Sequence, residues 1–85
     1  MVSFEFTIKD ELGVHARPAG VMVKEIRSLP CSVTIECGTR SADGKKLFDI
    51  MGMGIKCAET VRVVIDGEDE DAVKERLETF FAENF

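Results

Sequence analysis

Hydrophobic and polar positions alternate through the first eight residues: Val2, Phe4, Phe6 and Ile8 fall on one side, Ser3, Glu5 and Thr7 on the other. A period of two predicts a strand with one buried and one wet face over residues 2–8. The polar stretch KDELGV, 9–14, carries Gly13 and reads as a connection. From Ala16 the spacing changes. Ala19, Met22, Val23 and Ile26 follow the i, i+3, i+4, i+7 rule, with Lys24, Glu25 and Arg27 opposite them, which predicts an amphipathic helix. Pro18 lies in its first turn, where a missing N–H costs little. Pro30 disfavours helical geometry at Leu29 and stops the helix near there.

Alternation returns through Val33, Ile35 and Cys37 in SVTIEC, 32–37. In the following GTRSADGKKLF, Asp43-Gly44 is the preferred hairpin tip, with an immediate turn at Gly38 as the alternative. DIMGMGI, 49–55, suits one helical turn or an irregular loop capped by Asp49. TVRVVI, 60–65, is a β-branched, nearly continuous apolar run, as expected of a strand well inside a sheet. Asp66-Gly67 ends it. The acids Glu68, Asp69, Glu70 and Asp71 suit the positive end of a helix dipole. Val73, Leu77, Phe80 and Phe81 then form a core-facing stripe. The order is β-α-β-β-α-β-α. Strands with one wet face take helices on the other face only, so the expected fold is α+β, an open-faced β-sandwich of four strands.

Length and charge narrow the options. Eighty-five residues with 45% apolar content suffice for one domain, 1–85, with one core. A net charge of −5 with no basic stripe argues against nucleic acid as a partner. No run of 18 apolar residues and no basic-then-apolar leader is present, so neither membrane insertion nor secretion is expected. Cys31, Cys37 and Cys57 are odd in number, form no CxxC pair and have one histidine for company. That pattern fits packing thiols in a reducing cytoplasm better than disulfides or a zinc site. The acidic run 68–71 lacks the glycine and terminal glutamate of a calcium loop. No metal and no cofactor is expected.

The one histidine, His15, directly precedes the predicted helix. The first amides of a helix have no partner within it, and with the helix dipole they favour an anion. The Ala16 and Arg17 amides would cradle a negative group carried by the imidazole, and the Arg17 guanidinium matches phosphate oxygens. Neutral imidazole is a nucleophile near pH 7. These features support a reversibly phosphorylated histidine, and equally a site that only binds an anion.

The stretch GVHARPAG, followed by DIMGMG and then AETVRVVIDGEDED, resembles the HPr family, the histidine-containing phosphocarriers of the bacterial sugar phosphotransferase system. The likeness spans almost the whole chain. It implies a four-stranded antiparallel sheet in the order 1-4-2-3 and phosphorylation of His15 on Nδ1 by enzyme I at the expense of phosphoenolpyruvate. It further implies transfer to sugar-specific IIA domains, with Arg17 stabilising the phosphohistidine. Such a carrier is not an enzyme. It works in the cytoplasm with enzyme I and IIA domains as partners, and Mg²⁺ and phosphoenolpyruvate are requirements of the upstream enzyme.

Three departures from the family pattern stand out. Asp49 occupies the regulatory position, where a serine precedes IMG in Gram-positive relatives and is phosphorylated by an ATP-dependent kinase. Aspartate caps a helix as well as serine does. Its fixed charge also imitates a phosphoserine in part. Between IMG and AE the chain is shorter by about one helical turn, so a truncated second helix is expected. About three residues are gained between the second and third strands, which leaves pairing over 38–46 open. Met51 and Met53 are candidates for partner docking, while Ile50 and Ile55 suit the core. These departures keep open a regulatory or orphan paralogue that serves transcriptional regulators. An anion-binding module that is never phosphorylated is the third alternative.

Overall fold

Where side chains alternate, the chain pairs; where they recur every third or fourth residue, it coils. The computed structural model describes residues 1–85. It contains β1 (Val2–Thr7), α1 (Ala16–Arg27), β2 (Cys31–Cys37), β3 (Arg40–Asp43), α2 (Leu47–Gly52), β4 (Thr60–Gly67) and α3 (Glu70–Asn84). The four strands form one antiparallel sheet in the order β1-β4-β2-β3. The register puts Phe4, Val63, Ile35 and Ala42 in one row across all four strands, and each is buried. The adjacent row, Ser3, Val64, Thr34 and Asp43, lies on the opposite, open face. A one-residue slip would exchange these rows, so burial of one face fixes the pairing.

The helices cover the apolar face. α1 buries Ala19, Met22, Val23 and Ile26, the four positions its spacing marks, and α3 buries Val73, Leu77 and Phe81. Phe81 is 1% exposed and meets Phe4 and Phe6 edge-on at 5.8 and 5.7 Å between ring centroids. Full burial of side chains of this size stabilises by about 1.5–3 kcal/mol each. The result is the expected open-faced α+β sandwich.

Two local expectations are corrected. The β2–β3 hairpin turns at Gly38-Thr39, not at Asp43-Gly44, because Cys37 pairs with Arg40 across a two-residue loop. Gly38 takes φ +62, the left-handed geometry a tight hairpin of this kind requires at its first position. Asp43-Gly44 instead leads into α2: Asp43 Oδ1 accepts the Lys45 N–H at 2.9 Å and its carbonyl accepts that of Lys46. That turn starts α2 at Leu47, three residues earlier than a cap at Asp49 would. Asp49 is therefore not a cap; it lies within the first turn, and the residue at the cap position is Lys46. α2 is six residues long, in line with the expected truncation.

An ion pair ties β3 to the segment before β4. Arg40 Nη2 donates to Glu59 Oε2 at 2.6 Å, and the Lys56 N–H donates to Glu59 Oε1 at 2.8 Å. The Lys56 amide, then Arg40, hold the Glu59 carboxyl below the usual glutamate range. A carboxyl depressed in the folded state contributes stability that is complete above its unfolded value and is lost as pH falls through the folded one. Thermal midpoints are therefore expected to drop below about pH 4.3. Glu59→Gln should make that drop shallower, since Asp10 and Glu70 are lowered as well and keep part of it. Melting both proteins between about pH 6 and about pH 3 checks this, and equal slopes would contradict it.

Candidate functional site

His15 is delivered to the head of α1 by a connection with almost no freedom. The Lys9 and Asp10 amides donate to the Phe85 backbone oxygen, the Gly13 amide donates to the Asp10 carbonyl at 2.9 Å, and the Val14 amide to the Ile55 carbonyl at 3.0 Å. Gly13 adopts φ +67. A Cβ there would collide with the Ile55 carbonyl oxygen and lie 2.8 Å from the Lys56 Cα. Neither obstacle is a side chain that can swing away. Gly13→Ala is expected to cost more than about 2 kcal/mol, from the left-handed strain plus the clash. Denaturant unfolding measures it, and a cost under about 0.5 kcal/mol would show that this passage is not tight.

His15 occupies the N-cap position with extended φ −104 and ψ 170, but its ring makes no capping bond. Instead Nε2 lies 3.2 Å from Asp10 Oδ2, with the two side chains 32% and 31% exposed. Nδ1 has no partner. The other Asp10 oxygen, Oδ1, accepts the Leu12 N–H at 2.9 Å. That amide, then the imidazole, hold the Asp10 carboxyl below the usual aspartate range. Beyond His15, the Ala16 and Arg17 amides donate to no backbone carbonyl, and the first bond of the helix runs from Ala19 N–H to the His15 carbonyl. Arg17 is exposed and pairs with no carboxylate. A ring about one third exposed, with one nitrogen unpartnered, thus immediately precedes two unused amide donors and an unpaired guanidinium in the chain, a set of groups that can receive a tetrahedral anion.

The neighbouring surface differs from expectation. Met53 is only 6% exposed and packs into the core, so it offers no side chain to a partner. It follows the last turn of α2, where Met53 N–H reaches back to the Ile50 carbonyl and turns its side chain inward beside Ile50. Met51 is 36% exposed, and Phe48, at 90%, is the more prominent apolar group of α2. Phe48 and Asp49 line a shallow cleft of about 570 Å³ with Lys24, Arg27 and Lys46. Arg27 Nε donates to the Lys45 carbonyl at 2.8 Å and holds α1 against the turn preceding α2.

Cys31 and Cys37 are buried, Cys57 is exposed, and none is bridged. Burial pushes the Cys31 thiol up, towards its unreactive form. No three metal-ligating side chains converge, and no helix is long and apolar enough to cross a membrane. Sequence reasoning missed Asp10 and Phe48. An aspartate three residues before a glycine is the signature of a side-chain-closed turn, which marks Asp10 as fixed. Nothing local to Phe48 shows that it faces outward.

A family model described as "PTS HPr component phosphorylation site" matches residues 2–83. The chain is 31% identical over 83 residues to the phosphocarrier protein HPr of Lysinibacillus sphaericus, covering 98% of this chain and 94% of that protein. It is 33% identical over 75 residues to part of the multiphosphoryl transfer protein of Haemophilus influenzae, covering 85% of this chain and 15% of that one. Among solved structures, the histidine-containing phosphocarrier protein of a Mycoplasma superposes with a TM-score of 0.92 at 28% identity, over 96% of this chain and 93% of that chain.

Proposed function

The chain belongs to the HPr family of phosphotransferase-system phosphocarriers, and from that premise we propose that His15 takes a phosphoryl group from enzyme I and hands it to sugar-specific IIA domains. The observation that carries the reading is the unpartnered Nδ1 of His15, on the residue that immediately precedes the free Ala16 and Arg17 amides at the head of α1. Its lone pair attacks phosphorus. The bond from phosphorus to the donor's leaving atom breaks with its electrons, and the phosphoryl oxygens move towards the two amides. The Arg17 guanidinium offsets their charge. Transfer onward is the same displacement in reverse, with the IIA domain as acceptor. The domain works in the cytoplasm and carries the group stoichiometrically. Phe48 and Met51 supply the apolar contacts of docking, and Lys24, Arg27 and Lys46 share the cleft with Phe48 for an acidic partner.

Incubation with phosphoenolpyruvate and enzyme I should add one phosphoryl group that mild acid removes, and a IIA domain should then discharge it. Absence of the mass gain with enzymes I from several sources would leave the anion-binding reading.

Asp49 favours a second reading, a regulatory paralogue. Its exposed carboxylate sits in the first turn of α2, beside the basic cleft, as a charge that cannot be removed. If that charge weakens docking, Asp49→Ser should accelerate phosphorylation by enzyme I several-fold. An unchanged rate would leave Asp49 as an ordinary first-turn acid that favours the helix dipole.

A further inference from the structure

We infer that Asp10 is a positioning residue that chooses which ring nitrogen of His15 is free to react. This inference rests on the proposed phosphorylation of His15, and it names the group that makes Nδ1 the nucleophile.

Every polar group of Asp10 is engaged. Its amide donates to the Phe85 backbone oxygen at 2.7 Å, and its carbonyl accepts the Gly13 N–H at 2.9 Å. Oδ1 accepts the Leu12 N–H at 2.9 Å, which leaves Oδ2 aimed at His15 Nε2, 3.2 Å away. An ionised carboxylate only accepts hydrogen bonds. A neutral imidazole has one N–H and one lone pair, so Oδ2 places the proton on Nε2 and the lone pair on Nδ1. The carboxylate therefore orients the ring and fixes its tautomer through the same contact.

The contact also serves the product. When the Nδ1 lone pair forms the bond to phosphorus, the bond to the donor atom breaks and that atom keeps the electron pair. The ring retains its Nε2 proton and becomes a cation. Asp10 neutralises that charge from the far side of the ring, while the helix amides serve the phosphoryl oxygens. No proton enters or leaves in the step.

Asn and Ala substitutions separate this role from a merely structural one. In Asp10→Asn the side-chain oxygen still accepts the Leu12 N–H, which turns the amide NH₂ towards Nε2. That donor demands a lone pair on Nε2 and moves the ring proton to Nδ1. Asp10→Ala deletes both contacts and returns the ring to its solution mixture of tautomers. If Asp10 only closes the turn, Ala must harm transfer more than Asn. If Asp10 sets the tautomer, Asn must harm it more, by at least about tenfold relative to wild type.

Long-range ¹H–¹⁵N correlation spectra of the ring, taken at alkaline pH, read the tautomer with no partner protein. The expected result is an Nε2–H ring in the wild type and an Nδ1–H ring in Asp10→Asn. The phosphorylation rates with enzyme I should fall in the order wild type, Ala, Asn. An Nδ1–H ring in the wild type, an Nε2–H ring retained in Asp10→Asn, or Ala slower than Asn would each overturn the inference. If Asp10→Asn does not fold, the wild-type and Asp10→Ala spectra still decide: the Nε2–H fraction must be higher in the wild type, and equal fractions overturn the inference. If no variant accepts a phosphoryl group, the functional reading fails, while the spectra still test the placement of the proton.

Discussion

Replacing His15 by alanine is expected to cut phosphoryl uptake from enzyme I to background, a loss of at least about a thousandfold, because no other side chain at the head of α1 carries a nucleophilic lone pair. The variant should fold normally. The His15 ring makes one side-chain contact, with Asp10, is about one third exposed, and makes no capping bond. Surface changes of that kind shift stability by about 0.5 kcal/mol or less. Intact-mass measurement after incubation with phosphoenolpyruvate and enzyme I reads the first quantity, and thermal melting the second. Residual uptake above about a tenth of wild type would move the acceptor elsewhere and undo the proposed function.

Phe81→Ala is expected to have the largest effect on stability, about 3–5 kcal/mol. Phe81 is 1% exposed at the meeting point of four aromatic rings, with Phe85 at 5.3 Å completing the set formed by Phe4 and Phe6. An 85-residue domain holds about 4–13 kcal/mol in total, so the substitution removes a large share. Urea unfolding should show a lower midpoint with little change in slope. A loss below about 1.5 kcal/mol would mean that the neighbouring rings collapse into the space. The effect should also reach the site, because Phe85 packs on Phe81 and its backbone oxygen holds the Lys9 and Asp10 amides. Phosphorylation by enzyme I should therefore slow in this variant even under conditions where it remains folded.

Much of this was readable from spacing alone, for a definite reason. β1 and α1 each have a single period with one apolar side, so local pattern and tertiary burial agree. His15 was recognisable because helix-start geometry, an arginine and a proline coincide within four residues. The segment 38–49 behaved otherwise. Both Gly38 and Asp43-Gly44 have turn chemistry, and the choice between them depends on cross-strand pairing, which no local window contains. Once Gly38 takes the hairpin, the Asp43 turn is free to start α2 early, and Asp49 moves from the cap into the helix.

The misplacement of Met53 has a similar origin. Two methionines two residues apart fall on different sides of a short helix and its exit, and only packing shows that Met51 faces out and Met53 in. Asp10 was overlooked because its importance lies in a contact with a residue five positions away, across a turn whose closure depends on Phe85 at the far end of the chain. Sequence shows that such a turn is plausible chemistry. It does not show where the second carboxylate oxygen will point.

The pairing of Val2 with Ile65 has a consequence for how the chain comes into being. On the ribosome, β1 waits unpaired until almost the entire β4 has been synthesised, and Phe4 and Phe6 stay uncovered until α3 brings Phe81 against them. The loop to be closed is long, and pairing over such sequence separations slows folding relative to helical bundles of the same size. The β2–β3 hairpin needs no such delay, because its partners are a few residues apart. Nascent chains stalled before residue 60 should accordingly bind hydrophobic-surface chaperones through their first strand, and those released after α3 is complete should not.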